Sequence, residues 1–173
     1  FLRANTIDSF SGKSFVSNLT EFTPLIEWDF GGSSKFAEIS LLLKGGGSEN
    51  IGCQYSLPDD SLKAERDIDG VRRCVLDSVV KAQGKGCPPG AAAVCVGGDR
   101  AASCKEAKRL FLRKIGQRNP VSRIAELEMK FLKDINSLGV GAQGLGGKTF
   151  ALDLFIEFLP RHPASYYVTV SHI

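Results

Sequence analysis

The 173-residue chain reads as a mixed α/β or α+β domain, a mixed sheet with flanking helices, and three observations lead there. Segments of strand period and segments of helical period are intermixed along the chain. Glycines cluster between those segments rather than within them. Hydrophobic residues make up 43% and charged residues 24%, with a mean hydropathy of −0.04, an ordinary globular composition that excludes disordered, collagen-like and coiled-coil classes. A chain of this length buries roughly two thirds of its unfolded surface, so residues 1–173 are expected to form one domain.

The elements follow in order. Phe36 to Lys44 alternates as a strand and runs into Gly45-Gly46-Gly47-Ser48-Glu49-Asn50. From Asp69 to Gln83 the apolar Val71, Cys74, Val75 and Val79 recur at helical spacing, with Asp69 as the expected N-cap and Gly84 as the stop. Ala91 to Val96 is a short apolar strand ending at Gly97-Gly98-Asp99, and Ala101 to Ile115 reads as the helix after it. Asn119-Pro120 announces the clearest helix, which places Ile124, Leu127, Phe131, Ile135 and Leu138 on one face before Gly139 ends it. Thr149 to Leu159 then alternates Phe150, Leu152, Leu154, Ile156 and Phe158 as a half-buried strand. After the bend at Arg161 to Pro163, Tyr166, Val168 and Val170 form the last strand.

Composition also excludes functions. The 22 basic and 19 acidic residues are interspersed, so the net charge of +3 builds no one-sign surface for nucleic acid or a membrane. Apolar runs have strand length, not the ~20 residues of a membrane span. Nothing at Phe1-Leu2-Arg3 resembles a secretory signal, and the expected location is the cytoplasm or an organelle matrix. Both ends look cut, the last within a strand. Cys53, Cys74, Cys87, Cys95 and Cys104 are odd in number and contain no C-x-x-C pair, a pattern of reduced thiols rather than a disulfide framework or a zinc finger.

Five segments could carry chemistry. The Gly45, Gly46 and Gly47 run lets backbone approach a ligand, or is a flexible turn. Gly97-Gly98-Asp99 is an anion contact or a tight turn. Gly144-Leu145-Gly146-Gly147-Lys148-Thr149 imitates a phosphate loop, but Ala142 stands where that motif needs glycine, and a strand follows where it needs a helix. A nucleotide-binding reading is therefore disfavoured. Cys87, in Gly86-Cys87-Pro88-Pro89-Gly90, sits on rigid non-helical backbone and reads as a metal ligand or reactive thiol, whereas Cys74 and Cys95 lie on periodic faces and read as packing. His162 at a strand end beside Arg161 is an anion contact, a proton carrier or a structural residue, and His172 reads as structural.

Taken together, Lys44 to Asn50, Gly86-Cys-Pro-Pro89, Val96-Gly-Gly98, Gly139-Val-Gly-Ala-Gln-Gly-Leu-Gly-Gly147 and Leu159-Pro-Arg-His162 resemble, in that order, the iron-sulfur class I fumarate hydratases and their L-tartrate dehydratase relatives. The resemblance runs from about Leu2 to the end and corresponds to the N-terminal (alpha) domain. It implies a hydro-lyase acting on a small dicarboxylate, fumarate/malate first and tartrate second. It also implies a 4Fe-4S cluster held by three cysteines, with one iron open to substrate. Cys87 matches one ligand; the other two fall outside this sequence, before Phe1 and just past Ile173. Arg3, His162 and the backbone of Gly45, Gly46 and Gly47 are implied substrate contacts. Acid-base residues are implied to lie in a separate C-terminal (beta) domain or subunit, so none is named here, and a homo- or hetero-oligomer is implied. By itself the fragment would be inactive. A cluster-free binding or assembly module on the same fold is the competing reading.

Overall fold

The computed structural model describes residues 6–20, 25–28 and 37–173. Contacts divide the chain into two compact units, residues 1–39 and 40–173. In the first, Ile7 and Ser14 form an isolated antiparallel bridge closed by Asp8, whose carboxylate accepts from Ser11 N at 2.6 Å. Arg3 lies outside the described residues.

The second unit holds four helices, α1 (Gly46–Asn50), α2 (Ile68–Ala82), α3 (Arg100–Arg109) and α4 (Ser122–Ser137). Its four strands are β1 (Cys53–Ser56), β2 (Gly90–Gly97), β3 (Ala151–Leu159) and β4 (Tyr167–His172). They form one mixed sheet, as the sequence leads one to expect, and pairing sets its order as β1-β4-β2-β3. β2 and β3 are parallel, while β4 runs antiparallel to both β1 and β2. Loops entering β1, β2 and β3 and the exit from β4 therefore share one end of the sheet. Exits from β2 and β3 and the entry to β4 share the other.

The sheet is covered on both faces, which is why β2 is a continuous apolar run rather than an alternating one. On one face Val71, Cys74, Val75 and Val79 of α2 and Phe131 and Ile135 of α4 pack with Ala92, Val94, Leu154, Ile156, Val168 and Val170. On the other, Ala91, Ala93 and Phe155 pack with Leu110, at the end of α3. Among the described residues no helix is long and apolar enough to cross a membrane.

Several local expectations are corrected. Described residues 37–44 form no strand, and Ile39, Leu41 and Leu43 are exposed; alternation supplies a face, but no neighbouring edge pairs with it. α2 is capped by Asp67, whose carboxylate accepts from Gly70 N at 2.7 Å, while Asp69 pairs with Arg73. α3 stops at Arg109 with a 3-10 turn to Leu112, short of Ile115, and Arg113 leaves it for Glu128. Asn119 does not cap α4: its Oδ1 accepts from Val121 N and its Nδ2 donates to Ile156 O, tying the loop to β3. Leu138 is 39% exposed, outside the buried stripe of α4. Leu152 is 56% exposed because a register shift sets Gly90 opposite Ala151 but Ala91 opposite Asp153, turning Leu152 out and burying the Asp153 carboxylate.

Candidate functional site

One end of the sheet gathers three of the singled-out segments. Gly84 to Pro89 enters β2, the 3-10 turn Ala142–Gly144 precedes β3, and α1 precedes β1. Cys87 is exposed and sits in the left-handed region at φ 57°, its N–H donating to Gly84 O at 3.1 Å. Gln143 clamps the next residue: both its backbone N–H, at 2.9 Å, and its side-chain amide, at 3.3 Å, donate to Pro88 O. A side chain on Gly84 would run into Gln143 O and one on Gly144 into the Gly84 backbone, so this crossing needs glycine on both chains.

The Gly45 to Gly47 segment belongs to the same end. A Cβ on Gly47 would stand 3.1 Å from Lys85 O, and the side chain of Ile51 fills the space a Cβ on Gly86 would take. Gly45 is the extended N-cap of α1, and Ser48 Oγ donates back to Gly45 O at 2.9 Å. The expected loop is thus the start of a one-turn helix, whose first amides, those of Gly46 and Gly47, are not used in helical bonds. Lys44 Nζ lies 2.8 Å from Glu49 Oε2, and Lys108 of α3 pairs with the other Glu49 oxygen. Burial pushes the Lys44 ammonium pKa down, opposed by Glu49; the Glu49 carboxyl is held below its usual range, its partial burial outweighed by the two lysines.

His162 is elsewhere. It follows β3 at the opposite end, beside Gly98, whose N–H donates to Pro160 O at 3.2 Å. Seven steps of β2 at about 3.3 Å put roughly 23 Å between that end and the Cys87 turn. His162 is exposed and its Nδ1 accepts from Ala164 N at 3.1 Å. Arg161 stacks 4.5 Å over Tyr166 and donates to the carbonyls of His162, Pro163 and Ser165. Its donors serve the loop rather than a ligand. With Gly98, Asp99, Ala102 and Tyr167 these residues line an open depression of about 650 Å³. The structure therefore brings Cys87 together with Gly45, Gly46 and Gly47, and leaves His162 apart.

The chemistry of the donor set is equally plain. Among the described residues no three His, Cys, Asp or Glu side chains are grouped to hold a metal. Cys74 and Cys95 are buried, and burial pushes both thiols up to about 12. Cys104 lies by Gln54 and Thr169 on α3. Cys87 fits a three-cysteine cluster as one ligand; these residues do not complete one.

Two buried polar side chains, His172, read from the sequence as structural, and Ser78, meet at this end. His172, 4% exposed at the end of β4, has Nε2 at 2.8 Å from Ser78 Oγ of α2. Ser78 stands four residues after Cys74 on the buried face of α2, the one available signal, and a lone serine there reads as packing.

Comparison with known proteins adds to this geometry. The family model described as fumarate hydratase (Fumerase) matches residues 1–172. A protein of Geobacillus stearothermophilus, provisionally named a class I fumarate hydratase, is 38% identical over 99% of this chain and 34% of its own length. The L(+)-tartrate dehydratase subunit alpha of Escherichia coli K12 is 31% identical over 98% of this chain and 54% of its own. A Methanocaldococcus jannaschii protein, provisionally named an L(+)-tartrate dehydratase subunit alpha, is 39% identical over 95% of this chain and 56% of its own. The chain spans from about a third to about half of the length of these relatives.

Proposed function

Because this chain belongs to the fumarate hydratase (Fumerase) family of hydro-lyases, we propose that it is the alpha part of an enzyme that adds and removes water at a four-carbon dicarboxylate, fumarate and L-malate first. The observation that carries the reading is the convergence of the Gly45 to Gly47, Cys87 and Gln143 segments at one end of the sheet.

Dehydration must take a weakly acidic proton from the carbon beside a carboxylate and expel hydroxide, a poor leaving group. In this reading the backbone amides of Gly46 and Gly47, free of helical bonds, hold a substrate carboxylate, which fixes the diacid and lowers the entropic share of the barrier. Cys87 is the proposed single thiolate that this chain contributes to a 4Fe-4S cluster, a group that supplies a Lewis-acidic iron when bound. The remaining thiolates, Arg3 as a carboxylate partner and the acid-base groups belong to the proposed whole protein with its beta part, as does oligomer formation. His162 reaches a substrate at the Cys87 end only from another copy of the chain.

Names of the two tartrate dehydratase relatives support L-tartrate as the second substrate. The test is anaerobic reconstitution of the full-length protein, then absorption spectroscopy and turnover of fumarate, L-malate and L-tartrate, beside Cys87→Ser. Loss of the cluster band and a drop in kcat of about 10³-fold or more are expected for the variant. A variant that keeps colour and turnover overturns the reading, and a reconstituted wild type with neither favours a cluster-free module.

A further inference from the structure

His172 is the last residue of β4, and antiparallel pairing with Ala92 brings it to the end of the sheet where the Cys87 turn enters β2. Its ring is fixed on two sides. Ser78 Oγ engages Nε2 at 2.8 Å, and Phe150 meets the ring edge-on, with centroids 5.8 Å apart and planes at 87°. His172 also lines a small cavity together with Gly86 and Pro88, the two neighbours of Cys87. The cavity measures about 10 Å³, the room that one water-sized group occupies. Among the described residues nothing hydrogen-bonds to the second ring nitrogen, Nδ1.

A side chain 4% exposed, with one ring nitrogen bonded to Ser78 and no bond at the other among the described residues, is costly beside a mainly apolar cluster that includes Val75, Val79, Val170 and Ile51. An apolar residue would satisfy packing there, and Ser78 would then be the only polar group to place. The ring also carries no charge at neutral pH, since burial and the nearby Lys44 ammonium both oppose its protonation. A fixed, neutral imidazole can bridge to backbone without adding charge beside a thiolate.

We propose that His172 is a positioning residue of the Cys87 end, its Nδ1 tethering the 86–88 backbone across this cavity, by a single bridging water, and so fixing the direction in which the Cys87 thiol points. Ser78 sets the ring's rotation, so the tether is a pair, Ser78 with His172, reaching from α2 through β4 to the turn. This deepens the function proposed above and rests on it for the importance of Cys87, but the tether itself is a property of the chain alone.

The experiment uses the metal-free full-length protein and alkylation by iodoacetamide at one fixed pH, with Cys87 and Cys104 followed separately by peptide mass spectrometry. Both thiols are exposed, and Cys104 serves as the internal control. His172→Leu removes the tether, and His172→Asn keeps a donor where Nδ1 was. Ser78→Ala releases the ring with a smaller change to packing and stands in where His172→Leu does not fold. The Cys87 rate is expected to rise about fivefold in His172→Leu and in Ser78→Ala, with Cys104 unchanged, and to return within about twofold of wild type in His172→Asn.

A merely structural histidine would move both thiols together or neither, and either result overturns the proposal, as does a selective change that His172→Asn fails to restore. Cluster uptake by the same variants separates this inference from the function it deepens. A wild-type protein that takes up no cluster yet shows the selective change defeats the function and leaves the tether standing. A cluster-binding wild type without the selective change does the reverse.

Discussion

At the scale of single residues, the buried His172 makes a prediction about acid. Burial, aided by Lys44, lowers its pKa from 6.5 to about 4. The unfolded chain therefore takes up the proton first. The neutral ring's contribution is fully present above pH 6.5 and is lost as pH falls through that value toward 4. Two and a half pKa units correspond to about 3 kcal/mol. Urea denaturation of wild type between pH 7 and pH 4 should show a fall that includes this amount, and His172→Asn should show a fall smaller by about 2 to 3 kcal/mol. Equal falls would mean that the ring is not buried neutral. Thiols give a second residue-scale outcome: with Cys74 and Cys95 pushed up to about 12, native protein should alkylate at Cys87 and Cys104 and leave those two unlabelled until it unfolds.

Between residue and molecule stands the edge strand β3, which has a free side that must not be left bare. Glu128 of α4, 0% exposed, closes it: the carboxylate accepts from Arg113 at 2.7 Å, from Asn119 N at 2.9 Å and from Ile156 N at 3.0 Å. Asp153 accepts from Arg118 at 2.5 Å and from Gly116 N at 2.7 Å, folding the 113–119 loop over the same edge. Glu128→Ala strands a guanidinium and two backbone amides, and about 3 to 5 kcal/mol should be lost in urea denaturation. This network was hidden in the sequence, because Glu128 has no apolar signature and its partners come from the 113–119 loop and from β3, well apart along the chain.

The bulge in β3 was hidden for a related reason: alternation reads Leu152 and Leu154 as equivalent, and only the pairing with β2 separates them. Leu154→Ala should cost about 2 to 5 kcal/mol and Leu152→Ala under about 0.5. By contrast α2, α4, β2 and β4 were legible to within a residue or three, since their apolar faces pack where periodicity says. β1 was invisible at four residues, and the strand expected at 36–44 shows the converse, a pattern without a partner.

For the whole molecule, the decisive fact is direction. β1, β2 and β3 run one way and β4 the other, so glycine-rich entries far apart in sequence meet at one end, and the bends after β2 and β3 meet at the other. Each motif could be read locally; which motifs share a site could not, because that follows from strand pairing rather than from any spacing. A general expectation for parallel strands places ligands at their carboxyl ends, which here is the His162 depression, not the Cys87 turn. Two ends roughly 23 Å apart cannot serve one four-carbon diacid within a chain. A mixing experiment follows from that separation. Full-length Cys87→Ser and His162→Ala proteins, each inactive alone if both residues serve the substrate, should recover roughly a quarter of wild-type turnover when co-expressed, as copies pair at random and one site in some pairs keeps both residues. A chain carrying both substitutions should recover nothing. An active His162→Ala protein would remove His162 from the substrate site altogether. A dead mixture of two dead variants would require the two residues to meet within one chain, which the sheet forbids.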